Sequence, residues 1–234
     1  RRPEWARELD PELYLAITQK RLPGAVDMNR AFTHASDASD VTVAYYAASQ
    51  MLVWTVEKFG MPKVVQALRL WGQGKKTPDV IKGAFGVTPA EYDEGFRAWA
   101  LSRLTRYKDQ YLFARKPKEV DEAKKALAAG PNDASAHVDM ALALLASRKG
   151  KDAKKELEAA LAIDPKHADA HFLSAKLALG EKDAARAEQH LDAMRSAGSD
   201  GYAVRTLLAD IAEDKDDTDK MRLHLEAAHR LDPS

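Results

Sequence analysis

Residues 137–165 decide the fold, and their sequence is HVDMALALLASRKGKDAKKELEAALAIDP. Positions of this stretch recur along the chain with a constant period of about 34 residues. The recurring sets are Ala141, Ala175 and Ala209; Ala153, Ala187 and Met221; and Leu157, Leu191 and Leu225. The dipeptide Asp164-Pro165 returns two periods later as Asp232-Pro233. Because a fixed period of this length is typical of stacked structural units, the second half of the chain is predicted to be a repeat array.

Each repeat is predicted to be a pair of helices. Alanine, leucine, lysine and glutamate dominate the sequence and β-branched runs are scarce, which favours helix throughout. Small side chains at the recurring positions would let two helices approach to roughly 8–10 Å. We therefore predict an all-α fold, in which a helical subdomain precedes an α-solenoid of helix hairpins. The predicted ranges are 1–116 for the subdomain, 117–234 for the solenoid, 118–130 for a preceding helix, and 131–164, 165–198 and 199–234 for three repeats.

This register resembles the tetratricopeptide repeat, whose signature has small residues where paired helices cross and a proline near the end of the unit. The resemblance departs in two respects, since the large aromatics are mostly absent and Ser199 stands where a proline is usual. It implies a protein or peptide partner bound to the concave face, which the first helix of each unit forms. The alternative is that these are ordinary solvated or half-buried positions. By register, six residues would point to the concave face: Val138, Leu142, Phe172, Lys176, Thr206 and Asp210.

Composition excludes several classes of function. Lys+Arg and Asp+Glu both number 36, so the basic excess of a nucleic-acid-binding protein is absent. The longest apolar run, residues 140–146, is too short for a membrane span, which needs about 18 residues. The chain has no cysteine, which excludes disulfides, thiolate metal sites and a cysteine nucleophile. That absence is compatible with either redox compartment, so cell envelope, secretion and cytoplasm all stay open.

The histidines of the second half are not predicted to bind a metal. His167 and His171 are separated by one helical turn, but a zinc protease motif needs a glutamate directly after the first histidine, and an alanine stands there. His171 is also the repeat equivalent of His137, so the repeat itself accounts for it. His190 and His224 are likewise one period apart and would lie on successive hairpins, too far from each other to share an ion.

In the first half, residues 44–60 read AYYAASQMLVWTVEKFG and predict a helix that Gly60 ends. Apolar residues spaced by three or four would form its inward face, and other large apolar residues cover much of the remainder. The helix is therefore expected to be nearly surrounded by protein. The predicted inward residues are Tyr45, Ala48, Leu52, Val56 and Phe59.

The pattern of Ala-Tyr, a small or polar triplet, an apolar helix, glycine and then Lys-x-x-x-x-Leu resembles the C-terminal helical region of gluzincin-type zinc metallopeptidases. More narrowly, it is similar to the bacterial peptidase-MA-like group, in which repeats often follow. Residues 86–99, GVTPAEYDEGFRAW, resemble that group's closing helix. The resemblance covers residues 1–104.

The resemblance implies a catalytic role for Tyr45, which opens the helix that Gly60 ends. In related aminopeptidases the equivalent tyrosine hydrogen-bonds the oxyanion that develops beside zinc. The zinc-binding His-Glu-x-x-His motif has no counterpart in this sequence, so zinc is expected only in a longer parent protein. The chain is predicted to be catalytically silent and to hold no cofactor of its own.

Three interpretations stay open at this point. The chain is a protein-interaction module attached to the remnant of a metallopeptidase-like domain, the C-terminal part of an active bacterial zinc metallopeptidase, or a pure scaffold unrelated to peptidases. In the first and third cases Tyr45 and Tyr46 are packed aromatic residues with satisfied hydroxyl groups.

Overall fold

The computed structural model describes residues 9–35 and 38–232. Within these ranges the chain forms thirteen α-helices and no strand, which confirms the predicted all-α fold. The helices belong to two compact units that divide between Lys108 and Asp109. No helix in the described ranges is both long and apolar enough to cross a bilayer.

The described part of the first unit contains six α-helices and a short 3₁₀ turn. Thr88 starts the last helix with a capping box, since its hydroxyl accepts from the Glu91 amide and the Glu91 carboxylate accepts from the Thr88 amide. Trp54 lies in the core and meets the ring of Tyr92 edge-on at 4.8 Å. The helices are α1 Asp10–Thr18, α2 Met28–Thr33, α3 Ala38–Phe59, α4 Met61–Gly72, α5 Thr77–Phe85 and α6 Pro89–Arg103, and the 3₁₀ turn is Thr105–Tyr107.

The expectation for the helix at residues 44–60 was wrong in one respect. The helix, α3, is not surrounded by protein: Tyr45 is 67% exposed and Leu52 is 54% exposed. Its buried side instead carries Ala47 and Trp54. Apolar residues occur around the whole circumference of α3, so their spacing could not decide which side packs.

The second unit contains one leading helix, α7 (Val120–Ala129), and three helix hairpins. The first helices of successive hairpins begin one sequence period apart, and so do the second helices. The recurring alanines of the first helices, Ala141, Ala175 and Ala209, are at most 1% exposed, because the paired helices cross at these positions. The hairpins are α8 Ala134–Ala146 with α9 Gly150–Ile163, α10 Ala168–Gly180 with α11 Ala184–Ser196, and α12 Tyr202–Asp214 with α13 Thr218–Leu231.

The turn inside each hairpin contains one residue with a left-handed backbone conformation, at the same position of each repeat. Arg148, Lys182 and Asp216 have φ angles of 59°, 62° and 56°, and they occupy equivalent positions of the three repeats. In the first turn the Lys149 amide donates to the Leu144 carbonyl at 2.8 Å, which is the long hydrogen bond of a Schellman motif. The period seen in the sequence is therefore also a period of backbone conformation.

Candidate functional site

The first helices of the three hairpins, α8, α10 and α12, together form one face of the second unit, called here the first-helix face. Residues 110–116, called here the covering segment, lie against this face. The covering segment has no helix or strand of its own, and each of its residues is partly buried. Its contacts reach all three hairpins.

The covering segment begins at the third hairpin. The Tyr111 amide donates to the carbonyl of Asp200 at 2.7 Å. The side chain of Gln110 donates to the carbonyl of Leu231 at 2.9 Å and accepts from the amide of Tyr202 at 3.1 Å. Backbone groups at the start of α12 and the end of α13 thus hold this end of the segment.

Gly201 permits this approach of two backbones. It is buried, and a Cβ atom at this position would lie 2.5 Å from the Tyr111 carbonyl oxygen and 3.1 Å from its nitrogen. Real Cβ contacts are not this short, so any side chain at Gly201 would push the covering segment away. The sequence marks this position only as a glycine shortly before a helix.

Aromatic contacts hold the covering segment to the second hairpin. The rings of Tyr111 and Phe113 each lie 5.4 Å from the ring of Phe172, measured between centroids. The Tyr111 hydroxyl donates to the Asp169 carboxylate at 2.8 Å. Burial raises the pKa of Tyr111, and the adjacent Asp169 charge raises it further, so the phenol is neutral at physiological pH.

Arg115 joins the first and second hairpins. Its guanidinium donates to Asp139 on α8 and to Asp169 on α10, both at 2.5 Å, and to the hydroxyl of Ser135 at 3.0 Å. Lys118 also donates to Asp139, at 2.7 Å. Burial alone would raise the pKa of Asp139, but the hydrogen bonds from Lys118 and Arg115 outweigh it and lower that pKa. Asp139 is therefore ionised, and both carboxylates accept hydrogen bonds from cationic side chains of the same short stretch of chain.

An open groove of about 660 Å³ lies beside the covering segment, between α8 and α10. Four leucines line it, together with Phe113 and Phe172. Lys151 and Lys176 lie at this groove, and neither forms an ion pair with another residue in the described ranges. The leucines are Leu142, Leu145, Leu173 and Leu177.

The comparisons with known proteins bear on this unit. Residues 144–211, from the end of α8 to α12, match the family model of the tetratricopeptide repeat. The second unit contains tetratricopeptide repeats. Such repeats support a protein–protein interaction module. No curated protein sequence matches the chain significantly. Neither comparison supports the metallopeptidase resemblance of the first unit, which stays a prediction.

The six residues predicted for partner binding take different positions on the tetratricopeptide repeats. Leu142, Phe172 and Lys176 line the open groove. Val138 is fully buried in the core of the first hairpin. The hydroxyl of Thr206 donates to the Tyr202 carbonyl of its own helix, and Asp210 is exposed on α12.

Sequence reasoning missed the covering segment, because the predicted range 1–116 placed residues 110–116 in the helical subdomain. The signal available in the sequence is the alternation Tyr111-x-Phe113-x-Arg115. In an extended chain these three side chains would lie on one side, but an isolated alternation of this length does not identify the surface that receives it.

Histidines occur at another repeated position of the tetratricopeptide repeats. In each hairpin a polar side chain of the first helix contacts one of the second helix. The histidine pair lies in the second hairpin, where the two Nδ1 atoms are 3.0 Å apart and one imidazole donates to the other. In the described ranges no group of three metal-ligating side chains comes together. The three pairs are His137 with Glu156, His171 with His190, and Arg205 with His224.

In the first unit, Tyr45 and Tyr46 have different surroundings. The ring of Tyr45 is mostly exposed and lies 4.8 Å from the ring of Phe32. The hydroxyl of Tyr46 donates to Asp10 at 2.6 Å, and Arg106 contacts the same carboxylate at 2.7 Å. Burial and the Asp10 hydrogen bond raise the pKa of Tyr46. Tyr46 is thus a packed aromatic with a satisfied hydroxyl, whereas Tyr45 lies at an open surface.

Proposed function

We propose that the tetratricopeptide repeats of this chain bind an extended segment of a partner protein in the open groove between α8 and α10. The observation that carries the proposal is the combination of a leucine-lined groove of about 660 Å³ with lysines beside it. Three of the six residues that the repeat register indicates line this groove, which supports the same location.

The groove also suggests the chemistry of the partner. Its leucines favour an apolar side chain, since burying apolar surface contributes about 25 cal/mol per Å². Lys151 and Lys176 favour a carboxylate beside it, because both ammonium groups are left without an ionic partner in the described part of the chain. The one acidic residue of the lining, Glu181, is already paired with Lys154 at 3.1 Å. The proposed ligand is therefore an extended peptide that places an acidic residue next to a large apolar one.

A peptide-display selection on the purified chain tests this proposal. We expect enrichment of sequences that combine acidic and large apolar residues, and Lys176→Glu should weaken the selected peptide by about tenfold, or about 1.4 kcal/mol. Leu142→Ala should weaken it as well. Lys166→Glu is the matched control, because Lys166 is exposed in the turn between two hairpins. Selected peptides that bind the Lys176→Glu and Leu142→Ala variants as tightly as the parent chain would refute the groove as the site.

We further propose that the first unit has no hydrolytic activity in this chain and is the remnant of a metallopeptidase-like domain. The absence of a His-Glu-x-x-His motif from this sequence supports the lack of hydrolytic activity, and the resemblance of residues 44–60 and 86–99 supports the relation to a metallopeptidase-like domain. Metal analysis and a peptide-hydrolysis assay on the purified chain test it. One zinc ion per chain, or cleavage that Tyr45→Phe abolishes, would contradict the proposal.

A further inference from the structure

The covering segment contacts the repeats in the manner of a bound peptide. It forms no helix or strand, its anchoring side chains alternate along the chain, and it reaches three successive hairpins through Gln110, Tyr111 and Arg115. The Tyr111 amide donates to the carbonyl of Asp200. Side chains of Gln110, Tyr111, Phe113 and Arg115 add further contacts, as in recognition of a short motif.

We infer that the surface beneath the covering segment accepts, from another molecule, an extended peptide with an aromatic-x-aromatic-x-arginine sequence, and that the covering segment competes with it. This inference rests on the proposed function, because it assigns a second peptide subsite on the same first-helix face. The open groove and the covered surface are adjacent, since Phe113 and Phe172 contribute to both.

The covered surface is specific for arginine over lysine. Asp139 and Asp169 come from two different hairpins and bind two edges of one planar guanidinium, while Ser135 accepts from its third nitrogen. Three donors at fixed angles are available from arginine and not from the compact ammonium group of lysine. Phe172 and Gly201 complete the subsite by receiving the two aromatic rings and the peptide backbone.

Covalent attachment gives the covering segment an advantage over a peptide in solution. A short tether corresponds to an effective concentration in the millimolar range, so a peptide of micromolar intrinsic affinity would bind the intact chain about 10³-fold more weakly than an uncovered one. Weakening the covering segment, and not the surface, should therefore increase binding of the free peptide.

The test uses a fluorescent synthetic peptide of residues 109–118, DQYLFARKPK, and measures its anisotropy with the full chain. The double variant Phe113→Ala/Arg115→Ala releases the surface and should bind the peptide at least about tenfold more tightly than the parent chain. A peptide with alanine at the Arg115 position and a scrambled peptide should bind neither chain. The inference would be overturned if the scrambled peptide bound as tightly as DQYLFARKPK, or if the double variant bound DQYLFARKPK no more tightly than the parent chain does.

Substitutions on the surface locate the binding. In the double-variant background, Asp169→Asn and Gly201→Ala should each abolish peptide binding, the first by removing a carboxylate and the second by obstructing the backbone. Gly180→Ala is the matched control, because a methyl group there meets open space. Lys176→Glu should weaken the ligand of the open groove without weakening this peptide. The experiments can therefore refute peptide binding in the open groove and peptide binding on the covered surface independently of each other.

Hydrogen exchange on the parent chain tests the inference even where the double variant fails to fold. A segment that can be displaced opens locally, so the Tyr111 amide should exchange with a lower free energy than the amides of α10. Exchange of Tyr111 only through global unfolding would show that the segment is a permanent part of the unit, which would also overturn the inference.

Discussion

Replacing Arg115 with alanine removes the cation that joins the first two hairpins through Asp139 and Asp169. Hydrogen bonds to charged groups contribute about 1.5–3 kcal/mol each. Each carboxylate keeps one partner, since Lys118 remains on Asp139 and the Tyr111 hydroxyl remains on Asp169. The loss is therefore less than that of two orphaned buried charges, and we expect the free energy of unfolding of the second unit to fall by about 2–4 kcal/mol.

The distribution of aromatic residues gives a direct assay. All four tryptophans, at positions 5, 54, 71 and 99, precede residue 109, where the second unit begins, so tryptophan fluorescence in a urea titration does not report on the second unit. Far-ultraviolet circular dichroism follows the helices of both units. We expect Arg115→Ala to lower the midpoint of the second-unit component by about 1–2 M urea and to leave the fluorescence midpoint unchanged.

The matched control is Arg186→Ala, which removes an ion pair with Glu158 at 3.2 Å. Arg186 and Glu158 are both substantially accessible to solvent, so this pair should contribute about 0–1 kcal/mol. If the midpoint for Arg115→Ala is no lower than that for Arg186→Ala, the covering segment contributes nothing beyond an ordinary surface contact and the reasoning is refuted.

Three further predictions concern the hairpins. Ala175→Trp should destabilise the second unit by about 3 kcal/mol or more, because the indole overpacks a fully buried helix crossing. Ala185→Trp, at an exposed position, is the control and should not destabilise it. Equal urea midpoints for the two variants would show that the helices do not cross at Ala175. Lys182→Gly should raise the melting temperature, because glycine relieves about 1 kcal/mol of strain from the left-handed backbone conformation. An unchanged or lower melting temperature would show that this conformation is not strained. Burial lowers the pKa of His190 and of His224 from the ordinary value of 6.5, so the unfolded chain binds these protons more readily. The free energy of unfolding should therefore be highest above about pH 6.5 and fall as the pH drops below that value. The double variant His190→Gln/His224→Gln should show a smaller fall of the free energy of unfolding below pH 6.5.

The sequence predicted the repeats well because their period recurs three times. Ala153 and Ala187 are both fully buried, and the same alignment places Leu157 and Leu191 in the core. The third copy of the leucine position, Leu225, is 47% exposed, since no further hairpin follows it in the described residues. A periodic pattern thus identifies the residues that are buried between neighbouring hairpins. It does not predict burial correctly in the third hairpin, which no further hairpin follows in the described residues.

The candidate site was less accessible to sequence reasoning. The register identified Leu142, Phe172 and Lys176, which line the groove, because these positions follow from the period alone. It could not identify Arg115, whose partners lie 24 and 54 residues further along the chain. A contact between a non-repetitive segment and a repeat array leaves no periodic signal, so only the three-dimensional structure reveals it.

The covering segment also changes how the array is expected to lose its structure. In a simple linear array each repeat stabilises only its immediate neighbours, so terminal repeats can melt independently. Here one short stretch of chain binds Asp139 in the first hairpin and the carbonyl of Leu231 in the third. Melting of either terminal hairpin would therefore also break contacts of the covering segment. As long as the segment stays bound, it adds a link between hairpins that are not neighbours along the array.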